Sequence, residues 1–388
     1  MNKNRQSMTR RERVIATLEH REPDRVPLSM SITIDAYQNL KRYLGIELEE
    51  DFRPDRWAGV PVHPLVAEKF GLDAVLLPTG NSNISTKQSK NPDKWYDEWG
   101  VELTKKALPG GGYINEMTCC PLKSATVRDL ADYKWPDPYN RSAVEGIREF
   151  YRHIHNDTDF AIFSNFGGSI FRRAQYLRGI ETFLLDLKEN PEFAEALLEK
   201  ICKIQLARIG MLMEAAGKYV DVLCLGGEDM GNQENPVISL QMFRAMVKPH
   251  LEKLWVYTKK KLLEKNPRAK IMRYSCGAVK TFIPDLIEMQ VDVLDPVQPP
   301  AEDMDLFEMK AEFGNKLIFQ GGIDAQHMLP FGTVEEIHEH IKKQIRALAP
   351  GGGYICAPSY NVQGNVPPEN LIAMRDAVEE FGYYPINL

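Results

Sequence analysis

The stretch VDVLDPV at 291–297 decides the fold. It is a short, nearly continuous apolar run, and it has counterparts along the whole chain. Upstream lie RVPLSMSIT (25–33), DAVLLPTG (73–80), FAIFSNF (160–166), VDVLCLGG (220–227) and KIMRYSC (270–276); downstream lie KLIFQGG (316–322) and YICAPSY (354–360). Continuous apolar strands alternating with helices are what a parallel sheet covered on both faces requires. The helices are legible at 181–217 and 239–266, where apolar residues return at three- and four-residue steps. Thr333 with Glu336, and Thr9 with Glu12, read as capping boxes that open two more. Eight such units close as an α/β fold of the (β/α)8 barrel type. One barrel domain over 1–388 is therefore expected, with an N-terminal helical extension. Segment 81–140 departs from the pattern. There, WYDEWGVELTKKALPGGGYINEMTCCPL (95–122) reads as a hairpin turning at Pro109 to Gly112, followed by WPDPYN, an insertion between the second and third barrel strands.

Composition narrows the function. Forty-eight basic residues stand against 54 acidic ones, a net charge of −6, and no segment concentrates Lys or Arg beside aromatics, which excludes a nucleic-acid footprint. No run of 18 apolar residues exists, and none follows the basic start MNKNRQSMTRRERV, so a cytoplasmic protein with no membrane segment is expected. Six cysteines without a CxxC pair imply reduced thiols, the adjacent Cys119 and Cys120 included.

In a barrel of this kind, function gathers where the strand C-termini converge. That rule selects Asn165 after the third strand; Glu228, Asp229 and Met230 after the fourth; Tyr274 and Cys276 after the fifth; and Gln298 after the sixth. Asp324 and His327 follow the seventh strand, and Tyr360 and Asn361 the eighth. Adjacent side chains diverge, so only one of Glu228 and Asp229 should point inward. His327 reads as a substrate ligand or a helix-start residue. His153, His155, His338 and His340 read as surface residues. Gly321 and Gly322 permit close backbone approach, a weak anion signal.

RERVIATLEHREPDRVP (11–27), the 81–140 insertion, YSCGAV (274–279), VDVLDPVQ (291–298), FQGGID (319–324) and GGGYICAPSYNVQGNVPPENL (351–371) together resemble the uroporphyrinogen decarboxylase superfamily, especially its branch of corrinoid (cobalamin)-dependent methyltransferases. The resemblance spans nearly the whole chain. It implies a barrel enzyme, either a porphyrinogen decarboxylase or a methyltransferase working with a corrinoid protein. True decarboxylases of the superfamily resemble one another in an arginine-rich RQAGR-type segment, whereas here LSMSITIDAYQ follows Pro27. They also place a histidine nine residues before the Glu of PPEN, where this chain has Tyr360. Tyr176 in FRRAQYLRG matches a family tyrosine and is carried over as a substrate-binding residue.

The thiol-methylating members resemble one another in a zinc triad of His-x-Cys and a later Cys. This chain offers Tyr274, Cys276 and Tyr360 at those positions, and a neutral phenol is a poor zinc ligand. Cys356 could join Cys276 and Glu228 as a substitute set, although core packing explains it equally, and zinc is expected to be absent. Two tyrosines at a barrel mouth suit different chemistry: at neutral pH each is a hydrogen-bond or proton donor. An aryl methyl ether needs such a donor, because its phenolate leaves poorly unless the oxygen is protonated.

The reading that results has Tyr274, Tyr360 and Glu228 as catalytic residues. A small methylated donor, most plausibly a methoxylated aromatic, gives its methyl to the Co(I) of a corrinoid on a partner protein, since no cobalamin-binding DxHxxG segment is visible here. A decarboxylase-like lyase and a non-catalytic binding barrel are the alternatives, and a homodimer is an admissible assembly.

Overall fold

The computed structural model describes residues 8–50, 59–77, 87–88, 91, 93–107 and 113–388. Seven of the eight expected apolar runs are strands. They are β1 (Ala74–Leu77), β5 (Ala161–Asn165), β6 (Val222–Gly227), β7 (Lys270–Tyr274), β8 (Val293–Val297), β9 (Ile318–Ile323) and β10 (Tyr354–Pro358). All pair in parallel in that order. Between β1 and β5 the insertion contributes β2 (Lys94–Tyr96), β3 (Glu102–Ala107) and β4 (Tyr113–Cys119), an antiparallel unit. The register Ala107↔Tyr113 brackets the expected hairpin, whose tip at Pro109 to Gly112 lies outside the described residues, as does the 78–80 end of the second run.

The eighth position of the ring is filled without a regular strand. Pro27 lacks the amide a ladder needs, and the segment 25–33 makes isolated bridges plus one two-residue antiparallel pairing, Ile32–Thr33 with Gly59–Val60. The Cys356 amide donates to the Pro27 carbonyl and the Ser29 amide to the Cys356 carbonyl, both at 2.9 Å, while the Asp73 amide donates to the Leu28 carbonyl at 2.9 Å. Extended chain thus bridges β10 and β1, and the ring is closed.

The inward residues stack in layers, as alternation along parallel strands dictates. Ala74, Ala161, Phe163, Val222, Cys224, Met272, Val293, Ile318 and Ile355 form this inner cluster. Helix α1 (Arg10–Leu18) inserts Val14 and Leu18 into it and plugs the N-terminal end of the barrel. Both expected capping boxes are present, at Thr9/Glu12 and Thr333/Glu336. The helical run 181–217 is two helices, Ile180–Glu189 and Pro191–Ala216, because a proline at 191 cannot continue the preceding hydrogen-bond ladder. Among the described residues no helix is long and apolar enough to cross a membrane.

Asp73 fastens the seam. Its fully buried carboxylate accepts from Arg13 Nη1 at 2.6 Å, from Arg25 Nη1 at 2.8 Å and from the Leu28 amide at 2.8 Å. Removing it would leave two buried guanidinia without their shared anion. Asp73→Ala is expected to cost roughly 3–5 kcal/mol of stability, read as a lower urea midpoint with an unchanged slope; a loss below 1 kcal/mol would show that the seam does not depend on it.

Candidate active site

A cavity of about 1670 Å³ occupies the C-terminal mouth of the barrel, walled on one side by the insertion. Drug-sized ligands fill roughly 300–1,000 Å³. The space therefore exceeds what one small molecule requires.

Its floor comes from consecutive strands. Inward alternation carries Met272 to Tyr274 on β7, Val293 to Asp295 on β8 and Ile318 to Gln320 on β9, and all six line the cavity or the layer beneath it. Cys276, Tyr360 and Asn361 complete the floor, and Asn165 stands exposed on the rim. The Cys276 thiol donates to the Tyr274 hydroxyl at 3.4 Å. Burial, reinforced by Cys276 and Tyr360, holds the Tyr274 phenol well above its ordinary pKa, and burial pushes the Cys276 thiol up to about 12. At neutral pH these two groups carry their protons. Asp295 is the floor's carboxyl group. Burial pushes it up to about 7, and the hydrogen bond it accepts from Gln320 Nε2 at 3.0 Å only partly opposes the shift.

A bulge explains which acid after β6 faces inward. Cys224 pairs with Met272, yet Tyr274 pairs with Gly227, so one extra residue enters at Gly226–Gly227 and reverses the alternation. Gly226 takes a φ of +31°, and a Cβ there would lie 2.4 Å from the Ser169 amide nitrogen. Arg273, fully buried over the Trp255 ring, braces the bulge by donating to the carbonyls of Gly226 at 3.1 Å and Glu228 at 2.9 Å. Burial lowers its pKa to about 10, against the pull of Glu228.

Glu228 is consequently not a cavity residue. It is 1% exposed and accepts from the amides of Ile170 at 2.5 Å and Arg172 at 2.6 Å, fixing the start of helix Phe171–Arg178. Asp229 takes the inward place and pairs with Arg172 at 3.1 Å. The same helix aims Arg172, Arg173 and Tyr176 into the wall. Two further pairs tie the insertion to the barrel: Arg173 to Asp97 at 2.5 Å and Arg208 to Glu98, two-pronged at 2.6 and 2.5 Å, with both guanidinia about the Trp99 ring at 5.2 and 5.3 Å.

Several expected residues lie elsewhere. Met230 is fully buried in the outer core. Gln298 is buried and accepts the Gly277 amide at 2.8 Å, shaping the loop after β7. Asp324 accepts from the amides of Gln326 and His327 and so stabilises a turn, while His327 is an exposed helix-start residue; none of these four lines the cavity. Of the histidines expected on the surface, His153 is exposed, whereas His155, His338 and His340 are half-buried and His340 Nε2 accepts the Asp324 amide at 3.1 Å. Cys356 points into the outer core beside Tyr354: it alternates with inward Ile355, and Tyr360 lies past the end of β10, where strand parity no longer applies. The substitute zinc set of Cys276, Glu228 and Cys356 is therefore not assembled. Among the described residues no cluster of three or more His, Cys, Asp or Glu could hold a metal, so the residues present do not fit the ion.

A parallel barrel with a built cavity at its C-terminal mouth is the layout of a barrel enzyme. The uroporphyrinogen decarboxylase (URO-D) family pattern matches residues 116–381, and the chain belongs to that family. It is 20% identical to a uroporphyrinogen decarboxylase of Alkalilimnicola ehrlichii, covering 96% of this chain and 95% of that protein. Its fold matches a methyltransferase from Methanosarcina mazei with a TM-score of 0.64 at 18% identity, over 97% of this chain and 99% of the other.

Two outcomes are expected. Purified protein should hold well under one zinc per chain by metal analysis; stoichiometric zinc lost on Cys276→Ser would show that a site forms. Asp295, raised from 3.8 to about 7, favours folding fully only below pH 3.8, and that contribution is lost as pH rises through about 7. Asp295→Asn should accordingly be more stable than the parent at pH 8, by up to about 4 kcal/mol, with the gap narrowing as pH falls from 7 toward 4. Melting curves across that window check it, and a constant gap would contradict the raised carboxyl.

Proposed function

We propose that this chain is a methyltransferase that takes a methyl group from a small methoxylated aromatic and delivers it to the Co(I) of a corrinoid held by a separate protein. The floor of the cavity is the observation that supports this most. Tyr274 and Cys276 are held in their protonated forms by burial, with the Tyr360 ring alongside. An ether oxygen that must depart with the bonding pair needs donors of this kind. The ring of a donor would find Tyr176 and Trp95 on the walls. The surplus of volume suits a reaction in which a second, larger reactant approaches the same space. The Methanosarcina mazei barrel, itself a methyltransferase, agrees with this reading in architecture. The corrinoid supplies the methyl-accepting electron pair; this chain's residues bind the donor, orient its oxygen and exclude water.

Decarboxylation of a tetrapyrrole is the second reading, favoured by the Alkalilimnicola ehrlichii relative's name. It would ask for cations toward substrate carboxylates, yet Arg172, Arg173 and Arg208 each already face a carboxylate of the chain. A barrel kept only for binding would be expected to have a filled mouth, which this cavity argues against.

Tyr360→Phe removes one hydroxyl and keeps the ring. Losing that hydrogen-bond donor should slow methyl transfer from an aryl methyl ether by about 10²–10³-fold without unfolding the protein. A methylated cationic nitrogen leaves neutral and needs no proton, so the same variant should transfer from it nearly as well as the parent. Single-turnover cobalt methylation with both donors decides; equal small effects would reduce Tyr360 to packing.

A further inference from the structure

We propose that Asp295 is the acid that protonates the departing oxygen, a role that rests on the methyltransferase reading above. Two buried carboxyl groups stand at the mouth, and their surroundings separate their tasks. Glu228 is taken up by fixed donors, two amides and the nearby Arg273, and is turned from the cavity. Asp295 lines the cavity, sits opposite Tyr274 in the β7–β8 register, and accepts from the Gln320 side-chain amide. No Lys or Arg among the described residues forms an ion pair with it, and only the Gln320 hydrogen bond among the named contacts favours its carboxylate form.

The groups facing it from each packed element are Cys224 on β6, Tyr274 and Cys276 on and after β7, Gln320 on β9 and Tyr360 after β10. Burial keeps Cys224, Tyr274 and Cys276 protonated through neutral pH, with both thiols pushed up to about 12. Asp295 is consequently the group on this floor poised to change charge near neutrality, where an acid is most effective.

The step balances. The bond between the methyl carbon and the ether oxygen breaks with both electrons going to oxygen. The methyl carbon is taken by the electron pair of the Co(I) acceptor. The proton of the Asp295 carboxyl passes to the oxygen, giving a neutral phenol and an Asp295 carboxylate that regains its proton from solvent. Tyr274 and Tyr360 hydrogen-bond the same oxygen and orient it.

The test uses the intact chain with cob(I)alamin as acceptor, and 2-methoxyphenol and N-methylpyridinium as donors, across pH 5.5 to 9. For the parent, ether demethylation should fall tenfold per pH unit above about 7, while transfer from N-methylpyridinium stays flat. Asp295→Asn should lose about 10²–10⁴-fold on the ether and lose the pH limb with it, yet leave the pyridinium reaction nearly unchanged; Asp295→Glu should restore part of the rate and the limb. Tyr360→Phe should slow the ether reaction and keep the limb, which separates an acid from an orienting hydroxyl. Infrared spectra should show a protonated-carboxyl band at pH 6 that Asp295→Asn removes. If the parent demethylates the ether and Asp295→Asn keeps both rate and limb, the assignment of Asp295 is overturned and the methyltransferase reading stands. If the parent transfers from neither donor, that reading falls and takes this one with it.

Discussion

The Asp73 carboxylate, without solvent contact, gathers Arg13, Arg25 and the Leu28 amide at the one place where the barrel cannot close by a regular ladder. A buried anion is tolerable only when fully paired, and the pairing here joins α1, the extended segment 25–33 and the entrance to β1. Closure matters beyond stability. With the seam fixed, the ring brings β7, β8 and β9 to one mouth together with the chain leaving β10, and the floor residues meet there from four different segments. The proline at 27 in the first segment also explains why ion pairs and isolated amide bonds carry a load that elsewhere falls to the sheet.

The bulge at Gly226–Gly227 sets the second constraint. Without it, alternation would send Glu228 into the cavity. With it, Glu228 turns behind the wall and secures the helix bearing Arg172 and Tyr176, and Asp229 faces inward to pair with Arg172. Arg273 holds the bulge from the outer side by two carbonyls. One inserted residue thus decides which of two adjacent acids lines the cavity and which supports the scaffold.

How far the chain could be read follows from these same features. The parallel strands were legible because each is buried on both faces, and the insertion because its proline and glycine break the alternation. Tyr274, Cys276, Asn165 and Asn361 were legible as mouth residues by position alone. Asp295 and Gln320 were equally available, since period two runs from inward Val293 and Ile318 to both, but both lie within strands and the rule of strand C-termini selects only the residues that follow. Glu228 and Asp229 could not be told apart without the bulge that decides which of them faces inward, and Cys356 belongs to the outward side of β10 while Tyr360 lies past its end. Arg173, Arg208 and Trp99 could not be found locally, because their partners Asp97 and Glu98 sit in an insertion whose docking on the mouth depends on contacts distant in sequence.

The chemistry of the floor is inseparable from that geometry. A carboxyl group in water is ionised at neutral pH, and a thiol or phenol exchanges its proton freely; what alters them here is removal from solvent on a surface closed below by Phe163, Met272 and Val293 and plugged by α1. The wall guanidinia could have cancelled the effect by pulling Asp295 into an ion pair. Each instead finds its own carboxylate on the wall, Arg172 with Asp229, Arg173 with Asp97 and Arg208 with Glu98, so these three guanidinium charges are paired. That division leaves a proton-rich floor beneath a wall whose guanidinia are paired, an environment that favours releasing a neutral product over holding an anion.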